Sequence, residues 1–371
     1  MKIAFITTTI NKPVFLIDYI KQFKKDLNKQ NYTIEFFIIG DRKSPNNTLS
    51  FLKKIFLGTN FNYHYFDEKR CDIFLKKNFF LRKIFPINNA VRKYIGNLIA
   101  YKNNFDLLMM VDDDNFLYDK DYLKYAISAI KNKKIYEITT DTGWFNIYNL
   151  LKEKNNLKFF PRGFPWSQRD VKNKIKKKLV VSNISFINGF VLKDPDIDAI
   201  SRLFAPIQVI KYDDKKFGRQ FALSPGTWCS FNNQNSIIPS KIAPVHFTPP
   251  SAGRNSDIWS SFFLCKLSEH HKEHIVFGSP LVKQIRNVHN LWDDLELEIK
   301  NNRLTNFFVC LLKKIKLNKS DKVEVAKELC IKSLIELKKN IKSLDKNEYI
   351  YIYNYFNEYL LWLNSFAKVK L

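Results

Sequence analysis

Residues 106–114 have the sequence Asp-Leu-Leu-Met-Met-Val-Asp-Asp-Asp, an apolar run that ends in three consecutive carboxylates. The apolar part predicts a buried β-strand, which places Asp112, Asp113 and Asp114 at its carboxyl end. Three adjacent carboxylates repel one another, at a cost of roughly a few kcal/mol when they are poorly hydrated. A divalent cation that bridges carboxylates and a diphosphate would compensate for this repulsion. The alternative is an acidic loop, or a helix N-cap with spare charge.

The segments around this acidic triplet alternate between strand and helix patterns. Residues 2–8 and 33–39 predict two further strands, and residues 89–102 and 122–130 predict helices. Another helix begins at Pro13, and its apolar face is formed by Leu16, Ile20, Phe23 and Leu27. Strand–helix–strand units with polar residues just past the strand ends predict an α/β sheet with a binding crevice at its carboxyl edge.

Two later regions differ from this pattern. Residues 139–250 lose helical periodicity and are rich in Gly, Pro and Asn, which predicts long binding loops between strands. From about residue 301 the chain is Lys-rich and helical, and residues 349–366 place apolar side chains on one helix face. We therefore predict a main domain over residues 1–300 and a separate helical extension over residues 301–371.

The composition limits the classes of partner. The chain has 61 Lys+Arg against 36 Asp+Glu, and its formal charge is +25. A nucleic acid, an anionic membrane surface or a phosphate-rich substrate would each suit such a charge. The lysines are spread along the whole chain, however, and zinc-finger spacing, an RNA-binding aromatic signature and a single basic helix are all absent from the sequence. A Lys-rich composition therefore explains most of the excess, and we predict no nucleic-acid partner.

The cysteines and the apolar runs bear on the compartment. The five cysteines are odd in number and far apart, which fits reduced thiols better than a disulfide framework. The apolar run at the N-terminus is too short for a signal peptide, and no run reaches the ~20 apolar residues of a membrane-spanning helix. We predict a cytoplasmic protein, and we leave open both a peripheral contact with the inner face of the membrane and an oligomeric state.

Polar residues near the predicted strands are candidates for ligand contacts. Past the second strand, Asp41 could accept a hydrogen bond from a nucleotide base and Lys43 could meet a phosphate; the alternative is a surface turn. Arg92 and Lys93, on the helix before the triplet, could reach the same crevice, although solvated helix charges are the commoner case. Thr8, at the end of the first strand, completes this group of candidates.

Two later loops carry further candidates. Residues 161–169 place Arg162 and Arg169 in a segment stiffened by two prolines, and guanidinium suits bidentate contact with a diphosphate or a carboxylate. The alternative is a loop packed by its aromatic residues, with both arginines at the surface. Asp257, or its neighbour Ser256, either caps the following helix or, in the case of Asp257, projects into the crevice as a general base.

The histidines are a weaker signal. His246 and His289 are candidate metal ligands or phosphate donors, although a lone histidine is more often structural. His270 and His274 have the i,i+4 spacing of a helical metal pair. Because a further ligand for that pair is not apparent in the sequence, an exposed helix face is the better interpretation.

Taken in order, these segments resemble a known family. Residues 111–116 (Val-Asp-Asp-Asp-Asn-Phe), residues 161–165 (Pro-Arg-Gly-Phe-Pro) with Arg169, and residues 253–259 (Gly-Arg-Asn-Ser-Asp-Ile-Trp) resemble the reversibly glycosylated polypeptides, the plant UDP-arabinopyranose mutases. The chain is also similar to the plant STELLO proteins, with further matches at residues 40–45, 92–96 and 288–289. The resemblance covers roughly residues 2–295 and leaves the C-terminal helices outside it.

The resemblance implies a GT-A glycosyltransferase fold: an α/β fold with a mixed, mostly parallel sheet flanked by helices, here followed by a C-terminal helical appendage. It implies that Asp112 and Asp114 bind the ribose and Mn²⁺ or Mg²⁺, with Asp113 in support. Arg162 matches the arginine that is reversibly glycosylated in the mutases, and Asp257 matches an acid that would serve as the catalytic base. The remaining candidates are assigned to the nucleotide sugar, namely Thr8, Asp41, Lys43, Arg92 and Arg169, and to the metal, namely His289.

Three functions remain open from the sequence. The leading interpretation is a metal-dependent glycosyltransferase that moves a sugar from a nucleotide sugar, with UDP as the expected nucleotide, to a glycan or lipid-linked acceptor. The second is a mutase that interconverts pyranose and furanose forms of a UDP-sugar, and the third is a non-catalytic partner of other glycosyltransferases. The chain departs from the mutases at Asn115, where they usually carry a cysteine or a similar residue. The basic, aromatic tail either touches anionic lipid or packs against the catalytic domain or a second subunit.

Overall fold

The computed structural model describes residues 1–27, 32–286 and 290–371, so the predicted metal ligand His289 lies outside the described residues. Within those ranges the strands are β1 (Lys2–Thr9), β2 (Thr33–Gly40), β3 (Asn62–Phe66), β4 (Leu107–Val111), β5 (Asn115–Leu117), β6 (Lys134–Thr140), β7 (Leu151–Glu153), β8 (Ile175–Val181), β9 (Ile184–Leu192), β10 (Val209–Tyr212), β11 (Gln220–Leu223), β12 (Asn235–Pro239) and β13 (His274–Gln284). The α-helices are α1 (Leu16–Leu27), α2 (Thr48–Phe56), α3 (Glu68–Lys77), α4 (Lys93–Lys102), α5 (Tyr122–Ile127), α6 (Ala199–Phe204), α7 (Ser256–His271), α8 (Leu291–Lys314), α9 (Lys322–Lys339) and α10 (Lys346–Phe366).

A mixed sheet forms the centre of the fold. In the described ranges it has 11 strands in the order β3-β2-β1-β4-β12-β9-β13-β11-β6-β8, with β5 paired to β13. Strands β1 to β4, β8, β9 and β13 run in one direction, and β5, β6, β11 and β12 run in the other. Strands β7 and β10 form a small separate sheet. The predicted fold class, a mixed and mostly parallel sheet flanked by helices and followed by C-terminal helices, is confirmed.

The strands predicted at residues 2–8, 33–39 and 106–111 are β1, β2 and β4, and β1 is the parallel neighbour of both others. Their carboxyl ends therefore meet at one edge of the sheet. Residues 139–250, for which long loops between strands were predicted, contribute the strands β7 to β12 and the loops that connect them. Its Gly- and Pro-rich segments connect short strands. Helical periodicity is weak here because much of the region forms strands and loops.

Helices cover both faces of the sheet. One face packs against α1, α2 and α5 around the buried rings of Phe5, Tyr19 and Phe36. The other face packs against α4 and the C-terminal half of the chain, from α7 to α10. In the described parts of the chain, none of the helices combines the length and the apolar character that crossing a bilayer requires.

The C-terminal helices share the core of the main domain. Trp259 of α7 stacks on Phe308 of α8 with ring centroids 4.1 Å apart, and Trp362 Nε1 of α10 donates to the carbonyl oxygen of Pro244 at 2.8 Å. The boundary predicted at residue 300 lies inside the continuous helix α8. The apolar face predicted for the tail is buried against the rest of the chain, as shown by Ile352, Phe356, Tyr359 and Leu363. Of the two interpretations of the tail, packing against the same chain is the one that the structure shows for this face.

This packing predicts that the tail and the sheet unfold together. Trp362 is fully buried and stacks on Phe247 with centroids 4.6 Å apart. Trp362→Ala is expected to lower the free energy of unfolding by about 3–5 kcal/mol and to shift one cooperative transition in urea. Tyr353→Ala, on an exposed position of the same helix, is the control and is expected to change it by less than about 0.5 kcal/mol. Two separate transitions would instead show that the tail is an independent unit.

Candidate active site

A crevice with a volume of about 220 Å³ lies at the carboxyl ends of β1, β2 and β4. It brings together residues that are far apart in the sequence, including several that were predicted to bind a nucleotide or a metal. Its lining is Thr8, Thr9, Ile10, Ile39, Gly40, Asp41, Asn88, Asn89, Ala90, Arg92, Asp112, Asp113 and Asp114. Lys43 is exposed and is not among the described residues that line the crevice.

Arg92 fixes one wall of the crevice. Its side chain is 1% exposed, and Nη1 donates to Asp41 Oδ1 at 3.3 Å while Nη2 donates to Asp72 Oδ1 at 3.4 Å. The Nε of Arg92 is buried and finds no acceptor among the described residues. Of the two sequence interpretations of Arg92, the buried residue at the crevice is therefore the one observed, and its contact with Asp41 holds that carboxylate in place.

The three carboxylates of the triplet have different partners. Asp113 accepts hydrogen bonds from Ile10 N and Thr9 Oγ1, both at 3.1 Å, and so ties the end of β1 to the end of β4. Asp112 Oδ1 accepts from Lys93 Nζ at 2.8 Å, and Asp114 Oδ2 accepts from Gln284 Nε2 at 2.6 Å. Residues of α4 and β13 thus donate hydrogen bonds to the triplet.

The triplet is electrostatically unfavourable as it stands. Burial, together with the neighbouring charge of Asp112, raises the pKa of Asp114 to about 7. Burial also raises the pKa of Asp113, while hydrogen bonds from Ile10 and Thr9 oppose that shift. A proton or a cation near Asp112 and Asp114 would therefore be bound favourably.

The donor set of the triplet fits a hard divalent ion. Asp112 Oδ2 and Asp114 Oδ1 have no hydrogen-bond partner among the residues that the structure describes. Mg²⁺ and Mn²⁺ are commonly held by one or two carboxylates, with water and substrate phosphates completing the coordination. Across the described ranges no group of three His, Cys, Asp or Glu side chains converges on one point, so a diphosphate and water would have to supply the remaining ligands.

Lys93 contacts the triplet. From the sequence alone, it could have been either a crevice residue or a solvated charge on the helix. It is almost fully buried, and Nζ donates to Asp112 at 2.8 Å and to the carbonyl oxygen of Asn233 at 3.3 Å. The positive charge of Lys93 lowers the pKa of Asp257, and the negative charge of Asp112 raises it. One signal in the sequence points to Lys93, namely its position one residue after Arg92 at the start of a helix.

Arg162 and Asp257 are brought together, and Arg162 is held from several sides. Its Nε donates to both oxygens of Asp196 at 2.9 and 3.0 Å, and Nη2 donates to both oxygens of Asp257 at 3.2 and 3.3 Å. Nη1 donates to Asn255 Oδ1 at 3.0 Å and to the carbonyl oxygen of Arg254. Arg162 is 7% exposed.

These contacts correct the role implied for Arg162. Because Nε, Nη1 and Nη2 each have protein partners, this guanidinium has little capacity left for a sugar or a diphosphate. Its neighbour Gly163 has φ of 69°, and a Cβ there would lie 2.3 Å from Cγ2 of Ile258, so the close approach of this loop to α7 requires glycine. Arg162 is thus a buried counter-ion that orients Asp257.

Asp257 lies in the first turn of α7, where Asn255 occupies the N-cap position without a side-chain cap bond. Its side chain is 18% exposed, more than that of Asp196 on the other side of Arg162. Burial raises the pKa of Asp257, and Arg162 opposes this shift. A partly exposed carboxylate with a raised pKa has the properties of a general base.

Arg169 and His246 have structural positions. Arg169 Nη2 donates to Asp198 Oδ2 at 2.6 Å, and its guanidinium lies 3.6 Å from the ring centroid of Trp166. Arg169, like Arg162 and Asp257, is not among the described residues that line the crevice, so its assignment to the nucleotide sugar stays a prediction. Burial lowers the pKa of His246 to about 3, and Nε2 lies 3.0 Å from Asn233 Oδ1. His274 is paired with Glu137 at 2.7 Å and is not part of a helical metal pair.

No family model matches the chain, and no curated protein matches it either. In structure it is similar to a mannosyltransferase from Pyrobaculum calidifontis, solved with GDP-Man and Mn²⁺, with 9% identity, a TM-score of 0.40, and coverage of 99% of this chain and 86% of that one. It is also similar to glucosyl-3-phosphoglycerate synthase from Mycobacterium tuberculosis, solved with Mn²⁺, UDP and phosphoglyceric acid, with 9% identity, a TM-score of 0.43, and coverage of 83% and 78%. It is similar as well to residues 1–349 of TarS from S. aureus, with 13% identity, a TM-score of 0.37, and coverage of 98% of this chain and 81% of that one.

Proposed function

We propose that this chain is a metal-dependent glycosyltransferase that uses a nucleotide sugar, with UDP as the expected nucleotide, and a glycan or lipid-linked acceptor. The observation that carries the proposal is the crevice, which places Asp41, Arg92 and the acidic triplet around one space at the carboxyl ends of three parallel strands. Such an edge is where α/β sheets bind nucleotides.

The residues around the crevice have separate roles in this reaction. Asp112 and Asp114 would hold Mn²⁺ or Mg²⁺, which when bound would neutralise the charge of the leaving nucleoside diphosphate. Asp41 would accept a hydrogen bond from the base, and Arg92 would hold Asp41 in position for it. Lys93 keeps Asp112 oriented and adds a positive charge next to the diphosphate.

The acceptor hydroxyl would be activated by Asp257. The proton of the hydroxyl passes to the carboxylate as the acceptor oxygen forms a bond to the anomeric carbon, and the bond from that carbon to the diphosphate breaks. Direct attack of this kind inverts the anomeric configuration. Arg162, fixed by Asp196, holds Asp257 in position for this step.

The mutase interpretation depends on Arg162. In that mechanism an arginine becomes glycosylated, but here the guanidinium is buried and bound by Asp196 and Asp257. The geometry therefore favours a transferase over a mutase. A non-catalytic partner would need neither a nucleotide crevice nor a partly exposed Asp257, so it is the weakest of the three.

A screen of nucleotide sugars by thermal shift, with and without Mn²⁺, tests the proposal. Saturation at about 100 times the dissociation constant is expected to raise Tm by roughly 3 °C, and mainly when Mn²⁺ is present. Incubation of the bound sugar without an acceptor should give only slow hydrolysis. A new isomer of the UDP-sugar would identify a mutase, and the absence of any nucleotide-sugar binding would favour the non-catalytic partner.

A further inference from the structure

Strand β8 is an exposed edge of the main sheet. Among the described strands it pairs only with β6, and Leu179 and Val181 are 57% and 61% exposed. Side chains alternate along a strand, so Ile175, Lys177, Leu179 and Val181 share one face, and Lys176 and Lys178 lie on the other. Tyr136 of β6 lies directly opposite Leu179 and extends this face. We call the surface formed by Ile175, Tyr136, Leu179 and Val181 the β8 patch.

The β8 patch is surrounded by lysines. From residue 171 to residue 193 the sequence contains no Asp or Glu. The exposed lysines of this stretch are Lys172, Lys174, Lys176, Lys177, Lys178 and Lys193. In the part of the chain that the structure describes, only Lys178 among them forms an ion pair, with Glu137 at 3.0 Å. Apolar side chains and uncompensated positive charge therefore occur on the same short segment.

A second copy of this chain is a poor occupant for this edge. Pairing of two antiparallel β8 strands would bring Lys176, Lys177 and Lys178 of the two copies close together, and like charges across a strand pair are destabilising. Edge strands rich in lysine resist such pairing. A soluble polyanion would neutralise the lysines but would leave Leu179 and Val181 in water.

An anionic bilayer satisfies both features of the segment. Its headgroups attract lysines, and its interfacial region accepts apolar side chains that project beyond them. The apolar face of α10 is not a candidate for this contact, because its residues Ile352, Phe356 and Leu363 are buried. We propose that the β8 patch and its lysines dock this protein onto anionic lipid, independently of the reaction at the crevice.

Co-sedimentation of the full-length protein with vesicles tests this proposal. Binding is expected to vesicles of phosphatidylcholine mixed with phosphatidylglycerol, to weaken with salt, and to be small with phosphatidylcholine alone. The triple variant K172E/K174E/K176E is expected to lower the partition coefficient at least about tenfold. The double variant L179S/V181S leaves the charge unchanged and is expected to lower it at least about threefold, because apolar area contributes to interfacial binding.

A matched variant separates the β8 patch from net charge. K338E/K342E/K346E makes the same change in charge on exposed lysines near and within the C-terminal helices, and it is expected to keep the partition coefficient within about twofold. Circular dichroism confirms that each variant is folded. Equal losses in the two triple variants, an unchanged partition for the serine variant, or binding to heparin without binding to vesicles would each overturn the proposal. A dimer lost in K172E/K174E/K176E would identify a second copy as the occupant instead.

Discussion

Asp257→Asn is expected to lower kcat about 10²- to 10⁴-fold, the range that a general base contributes. Asparagine keeps the shape of the side chain and an acceptor for Arg162, but it cannot take the proton of the acceptor hydroxyl. Arg162 retains Asp196 as its counter-ion, so the loop should stay in place. Because the crevice is formed by other residues, the dissociation constant of the nucleotide sugar is expected to change less than about threefold. Transfer assays and calorimetric titration measure the two quantities.

The pH profile shows whether Asp257 acts as a base or only as a structural carboxylate. Burial raises the pKa of Asp257, and a base acts only when it is ionised, so kcat should rise with pH through a pKa above that of an ordinary Asp. Asp257→Asn should lose this acid limb. Asp196→Asn, which removes the other carboxylate on Arg162, should lower kcat and keep the limb. The opposite pattern in the two variants would assign the proton transfer to a different group.

The crevice was predictable because it depends on local patterns and one rule of topology. The apolar runs at residues 2–8, 33–39 and 106–111 indicate buried strands, and parallel strands bring their carboxyl ends to a common edge. Thr8, Asp41 and the acidic triplet could therefore be placed together from the sequence. A strand pattern also shows where the chain leaves the sheet, and this is the position at which these polar side chains occur.

The other half of the site depends on contacts between distant segments. Arg162 meets Asp196 at a separation of 34 residues and Asp257 at a separation of 95, and no local pattern connects them. The loop sequence shows that a guanidinium is present but not that its donors are used. Lys93 is buried because α4 packs closely on β1, where a Cβ on Gly96 would lie 2.7 Å from Cγ2 of Ile6. Helical periodicity alone cannot show such an approach.

The C-terminal helices illustrate the same limit. Arg254 Nε contacts Glu298 of α8 at 2.7 Å, and Nη2 contacts Asp294 at 3.0 Å. The carbonyl oxygen of Arg254 accepts from Arg162, so α8 helps to hold the segment that carries Asp257. Periodicity shows which face of a helix is apolar, but it does not show what that face packs against. The C-terminal helices could therefore be predicted from the sequence, but their contact with Arg254 could not.

Asp114→Asn is expected to abolish the Mn²⁺-dependent part of UDP binding and, at the same time, to stabilise the protein without ligand. Burial and Asp112 raise the pKa of Asp114 to about 7, whereas an ordinary Asp titrates near about 3.9. Because the pKa is raised in the folded state, ionisation of Asp114 opposes folding. The penalty grows from about pH 4 to about pH 7 and is complete above that range. Asparagine removes it, so the free energy of unfolding should rise by roughly 2–4 kcal/mol at about pH 8 and should be unchanged at about pH 3.

Urea unfolding at the two pH values and calorimetric titration of UDP with and without Mn²⁺ measure these effects. Asp121→Asn, at an exposed carboxylate that follows β5, is the control and should change neither quantity. An Asp114→Asn variant that keeps its Mn²⁺-dependent affinity for UDP would remove Asp114 from the metal site. A loss of stability at high pH would mean that Asp114 is a structural carboxylate, because removing a structural carboxylate weakens the fold. A loss of binding together with a gain in stability is the combination expected of a carboxylate that a ligand, and not the fold, compensates.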